Sequence, residues 1–266
     1  MKTYTLAIVG CGKLAAIVTD ALNVGLLTDY QLIATYSRTF EKAQYIANKI
    51  DSEITGYSCT PCASVDELLA LKPDYIIEAA SPDSMRALAL PALKNGSSII
   101  TLSIGALADG GFYEQVKQAA KENNTRVHLV SGAIGGFDVM RTAALMGNCT
   151  GTFDTEKSPN SLRRSSVYNE ILQTEKRKVF VGNAKEAIAL FPTSVNVAVA
   201  ASLASVGPEQ MKVSVSSTPG FVGDRHRIEV KNEQVHAVVD VYSSTAQIAG
   251  WSVVNTLQNI TSPIVF

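Results

Sequence analysis

The sequence predicts an α/β chain: a doubly wound parallel sheet, then a smaller α+β domain, then a helix that returns to the first part. Three observations carry this. A buried-strand pattern, Leu6-Ala-Ile-Val9, runs into a glycine turn and then a helical pattern. Short apolar runs alternate with helical patterns through the first half, as βαβ units require. From about Ser131 that alternation gives way to longer, strand-like segments. The divisions fall at residues 1–130, 131–242 and 243–266.

The opening turn reads Gly10-Cys-Gly-Lys-Leu-Ala15, a G-x-G-x-x-A pattern between a strand and a helix. Gly10 makes the tight turn, Gly12 lets backbone approach a pyrophosphate, and Ala15 lets the helix pack closely on the strand. Lys13 and Leu14 open the helix, whose unpaired N–H groups and dipole favour negative charge. This predicts a Rossmann-type domain that holds a dinucleotide.

The remaining elements follow in order. Residues 31–36 read as a strand and 39–50 as a helix. Ser64-Val-Asp-Glu67 is a capping box opening a helix over 65–70. A strand over 74–80, a helix over 83–95 closed by Gly96, a strand over 98–102, a helix over 111–123 and a strand over 126–130 complete the sheet. Ligands of such sheets meet the carboxyl ends of the strands, which adds Ala80 and Ser81 to the expected cofactor contacts. In the second half a glycine-rich turn precedes a helix over 137–146. Segments 150–155, 211–217, 226–230 and 235–241 alternate like antiparallel strands. Helices are expected over 184–190 and after Pro192, and a last one over 245–260.

Composition narrows the function classes. With 266 residues, a net charge of −1 and scattered basic residues, the chain lacks the electrostatic footprint of a nucleic-acid or anionic-membrane binder. Its most apolar stretch, 195–205, is too short and too polar to span a bilayer. The opening residues read as a strand rather than a leader, so a cytoplasmic protein with small-molecule or subunit partners is expected. Four cysteines do not make a disulfide framework. Cys59-Thr-Pro-Cys62 has redox spacing, but it reads as a polar surface loop without the second pair a zinc site needs.

The cofactor type follows from the end of the second strand. The acidic residue that normally binds the ribose hydroxyls of NAD is replaced by Ser37-Arg38. A hydroxyl and a guanidinium suit a 2′-phosphate better than a free diol. NADP is favoured, and NAD stays open.

Five further stretches, taken in order, resemble the successive motifs of L-aspartate dehydrogenases: Ser103-Ile-Gly-Ala-Leu-Ala-Asp109, Ser131-Gly-Ala-Ile-Gly-Gly-Phe-Asp138, Val181-Gly-Asn-Ala-Lys-Glu-Ala187, Phe191-Pro-Thr-Ser-Val-Asn-Val-Ala198 and Asp224-Arg-His-Arg-Ile228. The resemblance spans nearly the whole chain. It implies oxidation of L-aspartate to oxaloacetate and ammonia through iminoaspartate, or the reverse, with hydride transfer to NAD or NADP. It also implies a homodimer and a link to pyridine nucleotide biosynthesis. Ala133 and Asn196 correspond to cofactor-contacting positions and His226 to the catalytic histidine. His128 and His236 lie within strand patterns and read as structural or surface residues. Asp224, two residues from His226 and so on the same strand face, is placed to fix its tautomer or raise its pKa.

The chain departs from the family around that histidine. Asp224 stands where the family commonly has asparagine, Arg227 replaces a glutamate, and Ser194 replaces an asparagine. Val241-Tyr-Ser-Ser-Thr245 replaces an Asn-Pro-x-Thr-Ser motif. Another amino or imino acid substrate, or a catalytically silent dinucleotide-binding protein, are the alternatives. Arg141, Lys157, Arg163, Arg164 and Arg225 are all candidates to hold the substrate carboxylates, and the sequence does not choose among them.

Overall fold

Strand β1 (Tyr4–Val9) is buried along most of its length and is followed by α1 (Lys13–Asn23). Its apolar run lets it lie between neighbours on both sides. The structure, a computed structural model, describes residues 3–50 and 52–266. Next come β2 (Tyr30–Tyr36), α2 (Phe40–Asn48), α3 (Ser52–Thr55), β3 (Thr60–Cys62), α4 (Val65–Ala70), β4 (Tyr75–Glu78), α5 (Pro82–Lys94), β5 (Ser98–Thr101), α6 (Gly110–Glu122) and β6 (Val127–Leu129). All six strands are parallel, in the order β3-β2-β1-β4-β5-β6. The order reverses between β1 and β4, which makes their carboxyl ends the switch point where such sheets bind ligands.

The second sheet is built from β7 (Thr150–Lys157), β8 (Arg177–Asn183), β9 (Lys212–Ser217), β10 (Asp224–Lys231) and β11 (His236–Ser243), in the order β11-β10-β7-β9-β8. Helices α7 (Phe137–Leu145), α8 (Ala184–Leu190) and α9 (Asn196–Leu203) accompany it. The antiparallel expectation is corrected here, because β7 and β9 run parallel and the sheet is mixed. Alternation shows that a segment is a strand; the long β7-to-β9 connection, which carries β8, α8 and α9, is what permits a parallel return.

The final helix, α10 (Gln247–Thr261), belongs with the first sheet. Val253, Val254 and Leu257 join the core formed by Leu6, Ile8, Val18 and Leu32, and the Tyr30 hydroxyl donates to the Leu257 carbonyl at 2.8 Å. A Cβ on Gly250 would come within 2.7 Å of Ile17, so glycine lets α10 lie close on α1. The chain thus forms two compact units: the first runs through Ala106 and includes Gly110–Val130 and Ala249–Phe266, and the second holds Leu107–Asp109 and Ser131–Ile248. Among the described residues no helix is long and apolar enough to cross a membrane.

The reading of Cys59–Cys62 as a surface loop is also corrected. Residues Thr60–Cys62 form an edge strand on β2, an edge position that tolerates Pro61. Cys62 is buried, and burial pushes the Cys59 thiol up to about 12 and the Cys62 thiol up as well. Both therefore stay protonated thiols, poor nucleophiles and poor metal ligands at neutral pH.

Candidate active site

In the first unit the strand order assembles the site. The turn after β1 carries Gly10, Gly12, Lys13 and Leu14. The end of β2 carries Ser37 and Arg38, and the end of β4 leads into Ala80 and Ser81. Because β2, β1 and β4 are neighbours, these three groups fall side by side. Gly10 has φ +101°, and a Cβ there would lie 2.6 Å from the Ala79 carbonyl carbon and the Ala80 nitrogen. Around Gly12 nothing lies within 4 Å of such a Cβ, and Gly12 caps α1 without a side chain. The first turn of α1 contains no acidic residue. An open, glycine-capped helix start of this kind fits a pyrophosphate. Ala15 is buried where the helix meets the sheet. Cys11 is buried with its thiol raised to about 12 by burial, which makes it a packing residue and not a nucleophile.

Glu78 was not among the residues singled out in the sequence. It ends β4 fully buried, and its carboxylate accepts from the Ala80 and Ser81 amides at 3.0 and 3.1 Å, the Thr101 hydroxyl at 2.8 Å and the Ser103 hydroxyl at 3.1 Å. Burial raises its pKa, and those four hydrogen bonds work against the rise. The turn that carries Ala80 and Ser81 is thereby tied to its own strand, which also cuts the expected strand 74–80 short at Glu78. An acid closing the otherwise apolar run Tyr-Ile-Ile-Glu is the signal that could have found it.

In the second unit Gly132 and Gly136 adopt φ +60° and +72° on either side of half-buried Ala133. A Cβ on Gly132 would come within 3.1 Å of Val197, so the Ala133 turn lies against the start of α9, whose first residue is Asn196. The Val181–Ala187 motif proves to be a helix cap. Asn183 Oδ1 accepts from the Glu186 amide at 2.9 Å, and Glu186 Oε2 accepts from the Asn183 amide at 3.0 Å.

His226 lies on β10 at 2% exposure, its ring tilted 34° against that of Phe153 with centroids 5.5 Å apart. Its register partner on β7 is Thr155, and that of Asp224 is Lys157, itself 3% exposed. Lys157 Nζ bonds Asp224 Oδ1 at 2.6 Å. Burial, then the charge of Lys157, lower the imidazole pKa from 6.5 to about 4, with Asp224 pulling the other way. Asp224 therefore does not raise His226 above its ordinary range; burial and Lys157 outweigh it. Because the folded pKa lies below the unfolded one, the unfolded chain takes up a proton between pH 6.5 and 4 that the folded chain refuses. Stability from this group is complete above 6.5 and is lost as pH falls towards 4. The urea midpoint is expected to drop across that window, by free energies on the order of a few kcal/mol, and His226→Gln should flatten the drop.

Comparison with known proteins shows the family. Residues 10–130 match the family described as homoserine dehydrogenase, NAD binding domain, and residues 138–260 match aspartate dehydrogenase, C-terminal. The L-aspartate dehydrogenase of Methanosarcina acetivorans is 32% identical over 271 residues, 97% of each chain. The chain belongs to the L-aspartate dehydrogenase family. The enzyme of that name from Methanococcus maripaludis (strain C6) is 30% identical over 97% of each chain. The crystal structure of aspartate dehydrogenase from Thermotoga maritima matches with a TM-score of 0.74 at 27% identity, covering 99% of both chains. A hyperthermophilic archaeal homoserine dehydrogenase solved with NADPH shares the fold, with a TM-score of 0.64 at 15% identity over both whole chains.

Among this family member's candidate cations the structure discriminates where the sequence did not. Arg225 faces away from His226 and pairs with Asp240 at 2.7 Å. Arg163 bonds Asn160 and lies over the Tyr168 ring, and Arg141 and Arg164 are exposed. Lys157 is the buried one.

Proposed function

We propose that this chain is an NAD(P)-dependent L-aspartate dehydrogenase, converting L-aspartate and water to oxaloacetate and ammonia through iminoaspartate, or running in reverse. The observation that carries the reading is His226, a buried imidazole that stays neutral and lies one register pair from a buried lysine. Residues 1–130 hold the dinucleotide, 131–242 the substrate, and 243–266 complete the first domain. Gly10, Gly12, Lys13 and Leu14 receive the pyrophosphate on N–H groups of the α1 start. Ser37 and Arg38 face the adenosine ribose, and Ala80, Ser81, Ala133 and Asn196 supply further contacts. The nicotinamide of a dinucleotide held by these residues would supply a hydride acceptor for the substrate α-carbon, whose oxidation leaves an iminium on the substrate.

His226 takes a proton from a water as that water attacks the iminium carbon, gives it to the nitrogen of the resulting carbinolamine, and takes up the hydroxyl proton as the C–N bond breaks to release ammonia and leave the carbonyl. A base with a pKa near 4 is unprotonated at neutral pH and so is ready for this step. The carboxylate of Asp224 lies on the same strand face and favours the transient imidazolium.

NADP is the preferred cofactor in this reading, because Arg38 is exposed at the β2 end and offers a guanidinium to a 2′-phosphate. Arg38→Ala is expected to raise KM for NADPH about tenfold while leaving KM for NADH unchanged. Equal changes for both cofactors would remove the assignment. A homodimer in the cytoplasm completes the proposal, and sedimentation velocity tests the dimer.

The test of the function is consumption of NADPH and of NADH by purified protein given oxaloacetate with and without ammonia. Consumption that needs both substrates supports the reading. Consumption without ammonia points to a hydroxy-acid dehydrogenase, and none at all to a different substrate or a silent relative.

A further inference from the structure

The β7 and β10 strands turn Phe153, Thr155 and Lys157 to one sheet face with His226, Ile228 and Val230, and β9 adds Val213, Val215 and Ser217 to it. That face is apolar around Phe153, Ile228 and Val213 and then changes character. Thr155 and Lys157 are each 3% exposed, His226 2% and Ser217 0%. Among the described residues four buried side-chain polar atoms have no hydrogen-bond partner, and three of them are Thr155 Oγ1, Ser217 Oγ and His226 Nδ1. Buried polar groups are ordinarily paired, so three unpaired ones around a single buried ammonium mark a place for a ligand.

The geometry points to Lys157, flanked by Thr155 and Ser217, as the cradle that grips a carboxylate of the substrate. This rests on the aspartate reading and deepens it. The chemistry selects the ligand: an ammonium and two hydroxyls are donors, and a carboxylate offers only acceptors. Lys157 has three N–H donors and gives one to Asp224, which leaves two. Asp224 is a positioning residue: its side chain is 35% exposed, and from β10, the strand that presents His226, it holds the ammonium that β7 carries. A carboxylate held by Lys157 sets the neighbouring carbon beside the imidazole, one strand over and two residues along. Arg225 and Arg227, on the opposite face, pair with Asp240 and Glu229 and have no part in the cradle.

The experiment uses the full chain with saturating cofactor and three variants, Lys157→Gln, Thr155→Val and Ser217→Ala. Lys157→Gln is expected to raise KM for L-aspartate at least tenfold, and each hydroxyl variant about threefold, with the cofactor dissociation constant unchanged. Because the two hydroxyls have no partner within the fold, their removal should leave Tm equal or higher, an outcome that a structural role would not give. An unchanged KM for aspartate in folded Lys157→Gln overturns the proposal. Should that variant not fold, an unchanged KM in both hydroxyl variants does the same. If the parent protein turns over no aspartate, the activity reading fails separately, and succinate binding by calorimetry judges the cradle. Heat in the parent that is lost in the variants supports it, and no succinate heat in the parent overturns it.

Discussion

His226→Ala is expected to lower the turnover of L-aspartate by about two to four orders of magnitude, the usual worth of a positioned acid–base group. The dinucleotide dissociation constant stays where it was, because the glycine turn and the β2 end do not depend on β10. No other histidine can substitute. His128 sits half-buried on β6 beside Tyr75, and His236 is exposed and paired with Glu229 at 3.1 Å. Removing the ring also empties the space against Phe153, and a loss of folded protein could imitate a loss of catalysis. His226→Gln serves as the control, since it keeps most of the volume and removes the base. Steady-state rates, with the folded fraction checked by circular dichroism, decide the matter. Parent-rate turnover in folded His226→Ala would show that the base lies elsewhere.

Gly10→Ala is the second large effect, and it acts on the fold itself. The new methyl enters at φ +101° and within 2.6 Å of the backbone at Ala79 and Ala80, which cannot swing aside as a side chain would. Glu78 holds that backbone from the other side through the Ala80 amide. Strain and overlap together should cost about 3 kcal/mol, enough to lower Tm by about 10 °C, and dinucleotide affinity should fall with it. Gly12→Ala is the informative partner. Nothing in the chain lies within 4 Å of its Cβ and φ is −99°, so Tm should hold. On the proposed binding mode the methyl stands where the pyrophosphate approaches, so affinity should fall by about tenfold or more. Calorimetry of both variants with NADPH separates the glycine that builds the turn from the glycine that receives the ligand. Equal loss of Tm in the two would sink this distinction.

Local signals were legible where the chain spells them locally. The capping box at Ser64 marked a helix over 65–70, and that helix and the one expected over 184–190 have the bounds the structure has. Alternating βαβ patterns gave the parallel sheet. What escaped is non-local. β8 reads Arg-Lys-Val-Phe-Val-Gly-Asn, is exposed for much of its length and carries too little apolar alternation to declare itself. β3 is three residues long with a proline in the middle and exists only because β2 offers an edge. Strand direction in the second sheet depends on a return connection, which periodicity does not encode. The same limit applied to the site. Five cations looked equivalent because charge and spacing say nothing of burial. Pairing Lys157 with Asp224, 67 positions away, is what sets one of them inside the sheet.

The first unit is built from three stretches of chain, the last of them far along the sequence from the other two, and this orders events during synthesis. The ribosome delivers β1 through β6 early, yet Val253, Val254 and Leu257, which finish their core, arrive only after the whole of the second unit. The second unit, nearly continuous from Ser131 to Ile248, emerges complete and can fold while the first still waits for α10. The nascent dinucleotide domain therefore carries an open apolar seam along α1 and β2 for most of translation. Closing that seam brings together residues 227 positions apart, Tyr30 and Leu257, a non-local contact of the kind that slows folding.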